Sequence, residues 1–176
     1  MKALRRLSVA LAGLMLTTGL SLAADAAKPT DPQIAHIAYT ADNIDIAAAK
    51  LALETSKNKA VQDFAKDMVR DHEAVNKQAL ALAAKLKIKP EDNPTSEALL
   101  KQADATRAHL ATLKGAAFDK AYADNEVAYH HAVNTALETT LIPAAQNAEL
   151  KDLLTTGLKI FKGHEEHARM VAGELK

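Results

Sequence analysis

Four stretches of this chain carry apolar residues at spacings of three and four, and the turn between the first two is only three residues long. That spacing keeps one stripe of a 3.6-residue helix against a neighbour, and a turn as short as Lys57-Asn58-Lys59 forces the second helix antiparallel to the first. Strand-like alternation, internal repeats and low-complexity tracts are absent. The expectation is an all-α fold, an antiparallel four-helix bundle.

The first helix is expected to open at Asp31-Pro32, with Asp31 as N-cap and proline in the first helical position. Its seam is Ile34, Ile37, Ala41, Ile44, Ala48, Leu51 and Thr55, with Asp45 flanking it. The second, over 59–86, has the seam Val61, Ala65, Met68, His72, Val75, Ala79, Leu82 and Leu86, so a histidine sits within the apolar row. Two prolines break the pattern over 87–95. A shorter helix from Ser96 then ends before Gly115, which reads as its C-terminal cap. At 1.5 Å per residue it reaches ~27 Å, enough to cross the length of a bundle. A link of that kind between the second and third main helices is the connection that ferritin-like bundles use.

The third main helix is expected over 117–141, closed by Pro143. One of its rows is Ala123, Val127, His130, Val133, Leu137 and Leu141; the row Phe118, Tyr122, Tyr129 and Ala136 competes for the buried face. The fourth starts at Asn147, a good N-cap, with the seam Leu150, Leu154, Gly157, Phe161, His164, Ala168, Val171 and Leu175.

Ahead of the bundle, Lys2, Arg5 and Arg6 precede an apolar run over 7–22 that ends in small residues, the pattern of a secretory signal peptide. Residues 1–23 are read as that signal, with cleavage after Ala23 or, second, after Ala26. Residues 24–30 are a polar leader and 31–176 the bundle domain. The expected location is the periplasm, with outer-membrane association left open and no transmembrane segment in the mature chain. The absence of a cysteine after the apolar run excludes an acylated lipoprotein. Beyond residue 23 the chain carries 19 Lys and Arg against 22 Asp and Glu, scattered in sequence, which argues against nucleic acid or an anionic membrane as partner. Whether the partner is a second copy of the chain or another envelope protein stays open.

The chain has no cysteine, so disulfides and thiolate metal sites are excluded and any metal must be held by His, Asp or Glu. No GxSxG, phosphate-loop or dinucleotide-binding glycine pattern occurs, which leaves the common hydrolase, nucleotide and nicotinamide chemistries without support. What remains is a layer. Asp45, His72, His130 and His164 all lie within about three residues, ~5 Å, of the midpoints of the four main helices, and midpoints of antiparallel helices share one level. Bundles build metal sites in this way. Glu126, one turn before His130 on the same face, adds a second carboxylate.

The candidate ligands are therefore His72, His130, His164, Asp45 and Glu126, and the expected cofactor is a divalent metal ion, zinc or iron by donor type. His36, His109 and His131 read as surface residues. His167 lies one turn from His164 but nearer the helix end, and Asp71 reads as a partner for Lys or Arg or as an outer support of the site. Two other readings stand beside metal binding. One is a metal-free structural or interaction bundle with hydrogen-bonded core histidines. The other is a metal-dependent oxidase or hydrolase with Glu126 as general base. No residue is assigned a catalytic role.

FAKDMVRDH at 64–72, FDKAY at 118–122 followed by His130, and the late His164 together resemble an exported bacterial family, the domain of unknown function 4142, often labelled a putative outer-membrane protein. The resemblance covers essentially all of the chain after the signal. It implies a ferritin-like four-helix bundle with no established activity, in which helix one often carries Glu where this chain has Asp45. The wider di-iron pattern of paired Glu-x-x-His motifs is not met: Val69, Val127 and Phe161 stand three residues before the three histidines.

Overall fold

The computed structural model describes residues 28–175, and the expected signal peptide and its cleavage points lie outside them. Five long helices are present: α1 (Asp31–Thr55), α2 (Lys59–Leu86), α3 (Pro94–Ala111), α4 (Gly115–Ala136) and α5 (Ala148–Glu174). No strand occurs among the described residues, and none of their helices is long and apolar enough to cross a membrane.

Helix directions follow from which ends touch. The start of α1 meets the start of α5, since both carboxylate oxygens of Asp31 accept backbone N–H groups, from Gln146 at 2.8 Å and Asn147 at 2.9 Å. The far end of α1 meets the start of α4, where the Ser56 hydroxyl donates to Asp119 at 2.5 Å. Thus α1 and α5 run one way and α2 and α4 the other. The crossover α3 runs beside α1 from Asn93, bonded to the Gln33 carbonyl, to Leu110, which packs in the cluster that holds Ala49 and Ala52.

Local chemistry moves several boundaries from the expected ones. Thr30, not Asp31, is the N-cap of α1, in a capping box with Gln33, which frees the Asp31 side chain for the 145–147 turn. Asp31→Ala is expected to lower unfolding free energy by about 1 kcal/mol, measured by urea denaturation, because two backbone donors lose a charged acceptor at a partly exposed site. Asn93 caps α3, with Pro94 in its first turn. Gly115 opens α4 and does not close α3. Its φ of +58° suits glycine, and a Cβ there would meet nothing within 4 Å, so only backbone strain restricts the position. Pro143 does not stop the chain at Leu141. Helix α4 continues through a π turn, Leu137–Leu141, and a last α turn, Ile142–Ala144, and breaks at Ala145. The wider π turn takes the bonding out of the i, i+4 pattern that a proline ring obstructs.

The core has two apolar parts. One gathers Phe64, Met68, Phe118, Tyr122 and Ala168 at the α1–α2 turn end. The other gathers Ile34, Ile37, Leu141, Leu154 and Phe161 at the opposite end. Between them lies a belt of buried polar side chains. Two expected seams shift. The buried arc of α1 passes through Asp45, Ala49 and Ala52 and leaves Ile44 and Ala48 half-buried, because α1 is covered by α2, α3 and α4 together and not by one partner. The second half of α2 is less covered than expected, with Val75, Ala79 and Leu82 only half-buried.

Candidate metal centre

The polar belt is built from one residue or one pair per main helix. Asp42 and Asp45 come from α1, His72 from α2, Glu126 and His130 from α4, and His164 from α5, and none is more than 6% exposed. All five sequence candidates are therefore brought to one level. The donor atoms of His72, His130 and His164 lie within 4.8 Å of one another, and those of Asp45, Glu126 and His130 form a second group of the same compactness. His130 belongs to both. Ring centroids are 5.7 Å apart for His72 and His130, 5.2 Å for His72 and His164, and 5.4 Å for His130 and His164.

Each histidine is held from outside by one nitrogen. His72 Nδ1 donates to Asp42 Oδ1 at 2.8 Å, His130 Nδ1 to the Glu126 carbonyl at 3.0 Å, and His164 Nε2 to Asp71 Oδ2 at 3.1 Å. Those bonds orient the rings and leave the other nitrogen of each, His72 Nε2, His130 Nε2 and His164 Nδ1, turned inward without a hydrogen-bond partner. Both Asp45 oxygens and Glu126 Oε2 are buried and unpartnered as well. His72 Nε2 approaches Asp45 Oδ2 to 2.5 Å outside hydrogen-bonding angles, and His130 Nε2 is 3.6 Å from the same oxygen. Phe161 stacks on His72 at 4.6 Å and 8°, closing one side with an apolar face.

Electrostatics divide the belt. Burial pulls the His72 pKa down, but the charges and bonds of Asp45 and Asp42 outweigh it and lift the group to about 10. Burial holds the other two histidines below the usual range, His164 at about 4, and the neighbouring His72 charge adds to the effect. Glu126 is raised well above the ordinary carboxylate range, by burial first and then by the neighbouring charge of Asp45. Burial also raises Asp42. The metal-free belt thus favours an imidazolium at His72 beside Asp42 and Asp45, while burial disfavours the charged forms of Glu126, His130 and His164.

Asp42 was not among the sequence candidates. Its signal was present, since it precedes Asp45 by three residues and shares that face of α1, but an acidic residue beside Ala41 reads equally well as surface. Asp71 takes both roles expected of it, pairing with Arg70 at 2.7 Å and supporting His164. His131 is exposed and bonded to Glu165, and His36 is half-buried beside Asp92. His167, half-exposed and 4.0 Å from Asp67, belongs to neither donor group. On α4 both competing rows contribute: Phe118 and Tyr122 are buried with Glu126 and His130, and the Tyr129 hydroxyl donates to the Ala41 carbonyl at 2.9 Å.

The fold and belt define a class, an all-α bundle with a buried histidine and carboxylate layer between two apolar clusters. The chain belongs to the family described as Domain of unknown function (DUF4142), which matches residues 17–171. Among solved structures, CopM in the Cu(II)-bound form is similar, with a TM-score of 0.66 at 13% identity over 85% of this chain and 99% of that one. At that identity the likeness concerns the fold. No curated protein matches the chain in sequence.

Proposed function

We propose that this protein is an exported, periplasmic metal-binding bundle that takes a divalent ion into the belt through His72, His130 and His164, with Asp45 and Glu126 as the carboxylate side, and serves metal handling or envelope stress tolerance. The observation that carries this reading is the set of six inward, buried and unpartnered donor atoms. A buried polar atom without a partner costs about 1–3 kcal/mol, and a purely structural core would pair such groups with one another. Here the outer nitrogens are hydrogen-bonded and the inner ones are not, with His72 Nε2 facing the Asp45 charge at 2.5 Å without a hydrogen bond. A carboxylate or carbonyl on the far nitrogen of each histidine is the support that metal-bound imidazoles use to fix tautomer and orientation.

Nitrogen and carboxylate donors suit zinc or iron, and the Cu(II)-bound form of the similar bundle adds copper(II) to the metals worth testing. We favour binding over hydrolysis, because Glu126 is 0% exposed and burial disfavours its charged form, which leaves it poorly placed as a general base.

Purified protein loaded with zinc, iron(II) or copper(II) and then desalted is expected to retain close to one ion per chain by elemental analysis. Retention of none of the three would remove the reading. Binding must displace the His72 proton, and that of Glu126 if it ligates. The affinity is therefore expected to climb between pH 6 and 9, by about one to two decades per pH unit, with matching proton release in calorimetry run in buffers of different ionisation enthalpy.

A further inference from the structure

Helix α3 is fixed at both ends and only lightly covered between them. Of its eighteen residues only Ser96 and Leu110 are buried. The first end is tied down by the Glu91 N–H on the Pro32 carbonyl at 3.1 Å and by Asn93 on Gln33, and the second by Leu110 in the core. Between them Leu99, Ala103 and Thr106 continue the inner face at helical spacing but are only half-buried. Beneath them the side chains leave a chamber of about 940 Å³, walled by α1, α2, α4 and α5, that follows the half of the bundle holding Ile37, Leu141 and Leu154 and reaches the belt at Asp45 and Glu126. Interiors are packed to crystal density, and a chamber of this size falls in the range of small-molecule sites.

Shape and lining specify the ligand. Along α1 the chamber extends from Thr30 to Ala48, about 27 Å at 1.5 Å per residue. Its walls are mostly aliphatic, with Ile37, Val75, Leu82, Val133, Leu141 and Leu154 around it. The under-covered second half of α2 is one of those walls. Asp42, Asp45 and Glu126 line its belt side, and the other charged residues that line it are Lys28 and Arg107, both basic, the latter also paired with Asp104 at 2.7 Å.

We propose that the space under α3 binds one long acyl chain with an anionic head, the chemistry of a long-chain fatty acid, with the tail along the aliphatic walls and the carboxylate at Lys28 or Arg107. The inference does not rest on a bound metal ion, although Asp45 and Glu126 face both the chamber and the belt. Helix α3 is then a strap over the ligand, and the length of the chamber selects for chain length.

The test is calorimetric titration of the purified full-length protein with palmitate, decanoate and hexadecanol. Palmitate is expected to bind saturably near one per chain, with decanoate at least tenfold weaker. Ala38→Phe with Ala103→Phe, which fill the chamber from α1 and α3, should weaken palmitate at least tenfold while metal retention and helical circular dichroism are unchanged. Lys28→Glu with Arg107→Glu should weaken palmitate several-fold and leave hexadecanol as it was. Absence of saturable palmitate binding, equal affinity for decanoate, or undiminished binding by a folded filled variant would overturn the proposal. Should the filled variant lose its helicity, contacts in the wild-type complex between ¹³C-labelled palmitate and the methyls of Leu99, Val133 and Leu141 decide it, their absence counting against. A protein that fails with palmitate yet retains its metal ion loses only this inference, and the reverse result removes only the metal reading.

Discussion

His72→Leu is expected to lower the unfolding free energy of the metal-free protein by about 3–5 kcal/mol, read from urea denaturation in the presence of a chelator. The loss of one partner from a buried ion pair leaves the remaining charge uncompensated, and it is this penalty that sets the magnitude. Here two carboxylates are stranded at once, Asp42 at 2.8 Å and Asp45 at 2.5 Å. The expectation differs from that for a core of self-paired histidines, in which leucine is tolerated or even stabilising. Glu126→Gln should act in the opposite direction or be neutral, because it keeps the hydrogen-bonding shape and removes a group that burial already disfavours as an anion. Equal losses in the two variants would mean that His72 is not the counter-ion.

The pH dependence carries the same information. The folded pKa of His72 is raised from 6.5 to about 10, so its stabilisation is complete below pH 6.5 and disappears as pH climbs through about 10. His164 is lowered to about 4, so its contribution is present above 6.5 and is lost as pH falls towards 4. Metal-free protein should therefore be most stable near pH 6.5 and lose stability on both sides. In His72→Leu the alkaline loss is expected to shrink while the acid loss stays.

The second large effect is on metal. His130→Ala is expected to weaken the ion at least a hundredfold in competition with a chelator of known affinity, and Asp42→Asn about 10–100-fold, the range usual for an outer carboxylate that orients a ligand. His130 is chosen because it alone serves both donor groups, so neither the histidine side nor the carboxylate side keeps three donors without it. Its loss in the metal-free protein should cost little beyond packing, since its one fixed bond is to a carbonyl of its own helix. His131→Ala, one residue along and exposed, is the control and should change neither property. A hundredfold loss in His131→Ala together with an intact His130→Ala would place the donors on the wrong face of α4.

Much of this was legible in residues alone, and the exceptions are specific. The row holding His164 faces the core along its length and that holding His72 does so from Val61 to His72, because each of those helices has one main apolar stripe broken by one histidine. Asp45 was read as flanking its seam and Ile44 as within it; the reverse is true. A helix covered on several sides buries an arc wider than one stripe, and periodicity cannot say where that arc is centred. Helix α4 shows the same effect, since the rows of Tyr122 and His130 are both interior. Gly115 opens α4 where the end of α3 is expected, and Pro143 sits within the last turn of the helix it is expected to close, because a left-handed glycine or a proline is compatible with more than one neighbouring turn.

The sequence by itself determined the all-α bundle, the crossover helix, the exclusion of thiolate chemistry and the one level on which histidines and carboxylates fall, for these follow from local periodicity, turn length and residue type. Only the tertiary structure decided which nitrogen of each histidine is free, that Asp42 and Asp71 support the rings, that burial disfavours the charged form of Glu126, and that α3 covers a chamber. Those depend on how far each helix is rotated about its axis and on the distances across it. Rotation and distance are set by packing between elements remote in the chain, which no local pattern encodes.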